Sequence, residues 1–231
     1  MALADNIVAY WKCDESSGNA ADSVGSNTLT NTNTATFGTG KINNGMILNG
    51  SNQYFTTGTT SLMQDYSGLT MAAWVNTDVL NNYRRFISKT NSSNYNQFLR
   101  MTNGNKFELA VTAAAERGVT GSTTISTGVW YYVAGTYDGS VGRLYVNGSL
   151  EGTTSSTSGN TRNESNAVEI GREGSGGEYW DGKVDEIGIW SRALSGSEIL
   201  ELYNGGNGLQ YPFTTFNPAM MHHMQISGGL M

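Results

Sequence analysis

The segment VDEIGIWSRALSGSEILELYNGG, residues 184–206, holds a strand pattern followed directly by the signals that start a helix. VDEIGIW alternates in the way that is typical of a β-strand. Ser195 and Glu198 have the Ser-x-x-Glu spacing of a capping box, in which each side chain binds a free backbone N–H at the helix start. The spacing therefore predicts that a helix begins at this serine.

The apolar residues after the capping box define one face of the predicted helix. Ile199, Leu202 and Tyr203 fall on the same side. Gly205 suits the left-handed backbone position that ends many helices. We therefore expect a short amphipathic helix that covers apolar sheet surface and anchors this end of the chain.

Two adjacent carboxylates, Asp185 and Glu186, lie in the strand that precedes the helix. Successive side chains of a strand point to opposite faces, so Asp185 is predicted to face the core with Ile187 and Ile189, while Glu186 faces the other way. A buried carboxylate without partners costs several kcal/mol. We therefore expect a cation or several N–H donors around Asp185.

Most of the remaining chain also has a period near two, which predicts short β-strands joined by polar turns. Asn147-Gly148 is a two-residue hairpin signal, since both central positions favour positive φ. Regularly spaced short strands with glycine-bearing turns are typical of a β-sandwich. Residues 114–130 and 152–166 are polar and are predicted to be loops. The strands are predicted at residues 7–11, 69–76, 84–90, 97–103, 106–113, 130–138, 142–148 and 167–173.

Composition excludes several function classes. The net charge of −6 and the absence of a basic stripe argue against nucleic-acid binding. Cys13 is the only cysteine, which excludes an intrachain disulfide. No run approaches the roughly 20 apolar residues of a membrane helix, and the N-terminal residues predict no signal peptide. We expect a single large all-β domain without membrane insertion.

The last 21 residues differ from the rest of the chain. They contain both prolines, both histidines and four of the nine methionines. We therefore divide the chain into a domain, residues 1–210, and an extended C-terminal tail, residues 211–231. Methionine-rich apolar segments suit adaptable docking surfaces, so the tail is expected to dock on another subunit, most simply in a homo-oligomer. The alternative is a flexible end of the chain. The predicted docking side chains are Phe213, Phe216, Met220, Met221 and Met224.

Five blocks of the chain resemble the LamG-like jelly-roll family of the concanavalin A-like superfamily. The closing block is YWDGKVDEIGIWSRALSGSEILELYNGG, and the opening block is IVAYWKCDESSGNAADSVGSN. Between them lie GKINNGMILNGSNQYFTT, LTMAAWVN and GVWYYVAGTYDGSVGRLYVNGSLEG. The second block departs from the family, because Ser51, Asn52 and Gln53 stand where acidic residues are common. The resemblance implies an all-β jelly-roll sandwich with one short C-terminal helix.

The resemblance also implies a structural calcium ion where the first loop meets the last strand. Asp22 and Asp185 are the residues at those positions. Calcium takes carboxylate, amide and carbonyl oxygens. The alternative is that Asp22 caps its own turn and that neighbouring amides satisfy Asp185.

Glycan binding is a second implication of the family. It requires an aromatic platform flanked by amide and hydroxyl groups, and the candidates are Tyr83, Tyr95, Tyr179 and Trp180. The other four tryptophans lie within strand patterns and are expected in the core. Trp180 is open to both readings, because relatives often keep a packing aromatic there.

Catalysis is not expected. Glycanases of this superfamily carry acids in a Glu-x-Asp-x-x-Glu pattern, which places them on one strand face, and this chain has no such spacing. The sequence therefore favours a non-enzymatic binding or structural module. The preferred setting is the surface of a phage virion, as a decoration, fibre or tail protein with glycan adhesion. The alternative is a cellular or secreted carbohydrate-binding module, and a glycanase is a third class.

Overall fold

Two antiparallel sheets and one helix make up the part of the chain that the computed structural model describes, residues 2–91, 95–163 and 166–213. This confirms the predicted all-β sandwich with a short C-terminal helix. The strands are β1 (Ile7–Trp11), β2 (Thr30–Thr32), β3 (Thr36–Thr39), β4 (Asn44–Asn49), β5 (Tyr54–Thr59), β6 (Leu69–Thr77), β7 (Arg84–Asn91), β8 (Tyr95–Met101), β9 (Phe107–Thr112), β10 (Glu116–Thr120), β11 (Tyr131–Tyr137), β12 (Gly142–Val146), β13 (Ser149–Thr153), β14 (Ala167–Ile170) and β15 (Asp181–Trp190).

The strand order places the closing strand at the centre of one sheet. The eight-stranded sheet runs β13-β12-β11-β6-β15-β4-β3, and β1 also pairs with β15. The seven-stranded sheet runs β10-β9-β8-β7-β14-β5-β2. β15 thus pairs with β6 on one side and with β4 and then β1 on the other, so this strand connects three others within the sheet.

The main core lies between the sheets and follows the predicted alternation. In β8 and β9, Leu99, Met101 and Leu109 point into it and have no exposed surface. Trp11 and Trp180 also belong to this cluster. The predicted hairpin joins β12 to β13, with φ of 51° at Asn147 and 80° at Gly148.

A second apolar layer covers the outer face of the eight-stranded sheet. Helix α1 (Gly196–Tyr203) buries Ile199 and Leu202 there, beside Trp74 and Trp190. Its N-terminus has the predicted capping box, with Ser195 accepting from the Glu198 N–H and the Glu198 side chain accepting from the Ser195 N–H. The helix is the predicted cover for the sheet.

Two local expectations are corrected. The first left-handed residue after the helix is Asn204 (φ 50°), one position before the predicted Gly205, which is also left-handed (φ 59°). The stretch 114–130 contains strand β10, which pairs with β9 and extends the seven-stranded sheet. The polar side chains of β10 concealed this strand, because it lies at the edge of the sheet and only part of it packs on the core.

The chain past residue 206 continues along the outer layer of the eight-stranded sheet. Tyr211 and Phe213 pack against it, and the Phe213 ring lies 5.4 Å from the Tyr10 ring and 6.1 Å from the Trp190 ring. Phe213 therefore contacts its own domain. Phe216, Met220, Met221 and Met224 lie outside the described residues, and their docking role stays a prediction.

Candidate functional site

A β-bulge in β15 determines where the two adjacent carboxylates point. Asp185 pairs with Trp74, and the next regular pair is Gly188 with Ala72, so the register shifts between them. Glu186 occupies the left-handed region at φ 49°. Because Val184 and Ile187 both remain in the inter-sheet core, an extra residue is accommodated in the strand.

The bulge overturns the predicted orientation of this pair. Asp185 shares the side of its partner Trp74, away from the isoleucines of β15. Glu186 reaches the same layer, where it meets Tyr10 and Gln210. The strict alternation that assigned the two acids to opposite faces fails here, because a bulge resets the side-chain period by one residue.

Both carboxyl groups are buried and have close donors. Asp185 accepts backbone hydrogen bonds from Lys41 (2.8 Å), Ile42 (3.0 Å) and Glu186 (2.9 Å), which are the N–H donors that its burial requires. Glu186 accepts from the Tyr10 hydroxyl at 2.5 Å and from Gln210 Nε2 at 2.6 Å.

Burial raises the pKa of both acids. The pKa of Asp185 rises to about 7, in spite of its three backbone hydrogen bonds. Burial and the neighbouring Asp185 charge raise the pKa of Glu186 to about 8, against the hydrogen bonds from Tyr10 and Gln210. The two acids therefore hold protons near neutral pH, which an exposed carboxyl group does not.

The surroundings of Asp22 and Asp185 do not fit the calcium expectation. Asp22 Oδ1 accepts from the N–H groups of Tyr10 and Val24, and its Oδ2 accepts from the backbone and side chain of Asn27, each at 3.0 Å. Burial alone would raise the pKa of Asp22, but these bonds outweigh it and lower the pKa. N–H groups thus occupy the oxygens that a cation would need. Among the described residues, no group of three or more His, Cys, Asp and Glu side chains is arranged around a metal position.

Charged side chains form a connected set on the outer face of the seven-stranded sheet. Arg100 and Glu108 alternate with core residues of β8 and β9, so they point away from the sandwich interior. In the strand register, Arg85 of β7 lies opposite Arg100 of β8, and Arg100 lies opposite Glu108 of β9. These three residues therefore form one row across three strands. We call Arg85, Arg100, Glu108, Glu173 and Glu178 the arginine–glutamate cluster.

Ion pairs link every member of the arginine–glutamate cluster. Arg85 meets Glu178 at 2.6 Å and Glu173 at 3.1 Å. Arg100 meets Glu108 at 2.7 Å and Glu178 at 3.1 Å. Burial alone would lower the pKa of Arg100, but its bonds to Glu108 and Glu178 outweigh burial and raise the pKa. Both guanidinium groups are therefore held in fixed positions.

Tyr83 and Tyr179, two of the four candidate ligand-binding residues, flank this cluster. The Tyr83 ring is 37% exposed, and the Arg100 guanidinium carbon lies 4.4 Å from its centroid. Tyr179 is half-buried, its backbone pairs with Arg85, and its side chain bonds Arg172. The structure thus brings two of the four candidate rings to one surface.

The other two candidate rings do not join this surface. Trp180 is completely buried, packs 5.2 Å from the Phe86 ring and donates its indole N–H to the Lys183 carbonyl. Its assignment as a ligand platform is therefore corrected to a core role, because no face of the ring reaches solvent. Tyr95 begins β8, and its side chain lies outside the described part of the chain.

A family model of laminin G type, described as the concanavalin A-like lectin/glucanases superfamily, matches residues 49–200. The chain belongs to this family. The match confirms the resemblance that the sequence blocks carry. A search of curated proteins finds no match for the chain.

Solved structures share the fold of this laminin G-type domain at low sequence identity. The binding domain of Paraclostridial Mosquitocidal Protein 1 superposes with a TM-score of 0.73 at 17% identity, covering 89% of this chain and 53% of that one. Domain 4 of AbnA, a GH43 extracellular arabinanase from Geobacillus stearothermophilus solved with arabinotriose, gives 0.68 at 18% identity, covering 85% and 97%. The botulinum neurotoxin serotype G binding domain gives 0.65 at 18%, covering 86% and 50%. The chain spans about half the length of the two toxin domains.

The domain also has an open cleft of about 700 Å³ beside α1. Arg143, Tyr145, Arg192 and Glu198 contribute to its lining. Its helix N-terminus is already capped, Arg192 pairs with Glu198, and the Tyr145 ring is only 6% exposed. The cleft therefore lacks the exposed aromatic face that the Tyr83 surface provides.

Sequence reasoning missed the arginine–glutamate cluster. Arg100 and Glu108 stand at polar positions of predicted strands, which is a usable signal for one face. Glu173 and Glu178 come from the loop that precedes β15, and no local pattern links that loop to β7 or β8.

Among the described residues, no helix is both long and apolar enough to cross a membrane.

Proposed function

We propose that this chain is a non-enzymatic binding module that recognises a glycan on the surface formed by Tyr83, Tyr179 and the arginine–glutamate cluster. The observation that carries the proposal is the exposed Tyr83 ring, held from one side by Arg100. Sugar recognition combines stacking on an aromatic face with fixed hydrogen-bonding groups around it. The Tyr83 surface supplies both.

The geometry makes this surface ready to bind without reorganisation. Arg100 contacts Tyr83 and Phe98 and is fixed by Glu108 and Glu178, so it loses little freedom when a ligand arrives. Groups that are ordered before binding reduce the entropic cost of association. The remaining N–H groups and carboxylate oxygens suit the hydroxyl groups of a sugar.

The structural neighbours support a binding role. Two are toxin binding domains, and the arabinanase domain was solved with arabinotriose. At 17–18% identity the likeness shows the fold, and fold alone does not define a ligand. The ligand class of this chain is therefore proposed from its own surface residues.

We place the module on a phage virion, as a subunit of a larger assembly. The support is the apolar, methionine-rich composition of residues 211–231, which suits docking on another subunit. A cellular or secreted carbohydrate-binding module would use the same Tyr83 surface, and the match to almost the whole arabinanase domain favours it as the second candidate. Deletion of the tail separates the two settings, because only a virion subunit would lose particle attachment.

Glycan-array binding followed by calorimetry tests the proposal. Tyr83→Ala should weaken glycan binding about 30-fold, the equivalent of about 2 kcal/mol for a tyrosine at a binding hot spot. Leu150→Ala is the matched control, because Leu150 is 55% exposed on β13 of the other sheet. Incubation with the bound polymer should release no reducing sugar. Equal binding by both variants would overturn the site, and turnover lost on replacing one carboxylate would overturn the non-enzymatic assignment.

A further inference from the structure

Carboxylates outnumber guanidinium groups in the arginine–glutamate cluster of the proposed glycan surface. Arg85 and Arg100 face three carboxylates, those of Glu108, Glu173 and Glu178. Arg84, the residue before Arg85, pairs with the core residue Met101 and therefore lies on the other side of β7, where it donates to the carbonyls of Gly50 and Tyr179. The surface therefore presents fixed polar groups without excess positive charge.

Glu178 is central to the arginine–glutamate cluster because it binds both guanidinium groups. Its Oε2 lies 2.6 Å from Arg85 Nε, and its Oε1 lies 3.1 Å from Arg100 Nη1. Its own carbonyl accepts the Arg85 N–H at 2.8 Å, which fixes the backbone. Removing the Glu178 charge would leave each arginine with one carboxylate, Glu173 or Glu108.

Both arginines of the arginine–glutamate cluster already pair with carboxylates, so a ligand carboxylate or sulfate meets no unpaired guanidinium within that cluster. It would have to displace a glutamate from a charge-assisted pair or lie beside several like charges, and like-charge contacts disfavour binding. A sugar hydroxyl both donates and accepts, so it can use the remaining N–H groups of Arg100. It can also use Glu108 Oε1, since Arg100 engages the other oxygen.

We infer that this surface selects neutral glycans and rejects acidic ones, and that Glu178 sets this selectivity by occupying both Arg85 and Arg100. The inference rests on the proposed function, because it names the ligand class of the same site. It predicts a gain of acidic-glycan binding when the Glu178 charge is removed.

The test compares neutral arabino-, xylo- and gluco-oligosaccharides with oligogalacturonate by calorimetry. The wild type should bind a neutral oligosaccharide at least about tenfold more tightly than oligogalacturonate, with little dependence on NaCl. Glu178→Gln keeps the side-chain shape and should strengthen oligogalacturonate binding about tenfold, in a salt-dependent manner. Glu201→Gln is the matched control, since it removes the same charge from the exposed side of α1.

Adding Tyr83→Ala to Glu178→Gln should remove the gained binding, which locates the gain at this surface. A wild type that binds oligogalacturonate as tightly as neutral oligosaccharides would overturn the inference and leave the glycan-binding function intact. Equal gains from Glu178→Gln and Glu201→Gln would also overturn it, because the effect would then be one of net charge. Binding of neither ligand class by the wild type overturns the proposed function, and the inference falls with it.

Discussion

Replacing Glu186 by glutamine should stabilise the domain above neutral pH and weaken the pH dependence of its stability. Folding raises the pKa of Glu186 from 4.5 to about 8 and that of Asp185 from 3.8 to about 7. At pH values between these unfolded and folded pKa values, the folded chain binds more protons than the unfolded chain. The stability that the two groups contribute is therefore complete below about pH 4 and is lost as the pH rises through 7 and 8.

The size of the effect follows from the Glu186 shift. One pKa unit corresponds to about 1.4 kcal/mol, so the free energy of unfolding should fall by roughly 4 kcal/mol between pH 5 and pH 8.5 through this group. Groups with lowered pKa values, such as Glu198 with a pKa of about 2, change their contribution to the free energy of unfolding below pH 5. Burial also raises the pKa of Glu169, which adds to the fall above pH 5, so the difference between the wild type and Glu186→Gln isolates the part that belongs to Glu186.

The hydrogen bonds around Tyr10 explain why glutamine is the right replacement. The Tyr10 oxygen lies 2.5 Å from Glu186 Oε2 and 3.2 Å from the Leu209 carbonyl, but the hydroxyl carries one proton. A protonated Glu186 donates to Tyr10, which frees the hydroxyl to donate to Leu209. A glutamine amide at the same position also donates to Tyr10 and still accepts from Gln210, so it reproduces the protonated acid at every pH.

Urea unfolding at pH 5, 6, 7, 8 and 8.5 measures the effect, with the slope of the transition checked for constancy. The wild type should lose several kcal/mol across the series, and Glu186→Gln should lose less than half as much. Glu201→Gln, a control at an exposed position of α1, should follow the wild type. A wild type whose stability is level from pH 5 to pH 8.5, or a Glu186→Gln variant with the full wild-type loss, would refute the assignment of raised pKa values to this pair.

Two further predictions concern the tail and calcium. Deletion of residues 214–231 should leave the free energy of unfolding unchanged but abolish assembly or particle attachment, as measured by light scattering and virion incorporation. Deletion of residues 211–231 should also lower the free energy of unfolding by about 1.5–3 kcal/mol, because it removes Phe213 from Tyr10 and Trp190. Normal assembly without residues 214–231 would refute the docking role. Because N–H groups already bind the oxygens of Asp22 and Asp185, a chelator should leave the melting temperature unchanged. A melting temperature that falls in chelator and recovers with added calcium would instead support the calcium site that the family resemblance implies.

Signals that span only a few residues predicted the fold well. The period-two runs located most strands, since one face of each lies on the core. Asn147-Gly148 predicted its hairpin and the Ser195–Glu198 pair predicted the helix start, because each depends on neighbouring backbone groups alone. Strand β10 escaped because an edge strand with polar side chains has no such pattern.

The sequence predicted the residues of the candidate site less well than it predicted the fold. Tyr83 and Tyr179 are candidates for an aromatic platform on sequence grounds, and the fold brings both beside the arginine–glutamate cluster. Trp180, next to Tyr179, is a core residue, because β15 begins one residue later and turns that ring inwards. A difference of one position thus separates a surface ring from a buried one.

The sequence by itself determined the all-β sandwich, its family, its capped helix and the need for donors around Asp185, since each of these follows from local spacing or from the cost of burial. Only the tertiary structure decided the surroundings of the Asp185–Glu186 pair and the assembly of the arginine–glutamate cluster. The bulge in β15 placed Asp185 and Glu186 in one layer with Tyr10 and raised their pKa values. The strand order brought Glu178 to Arg100, 78 residues away along the chain. Such contacts depend on how distant strands pair, and local sequence patterns carry no information about that pairing.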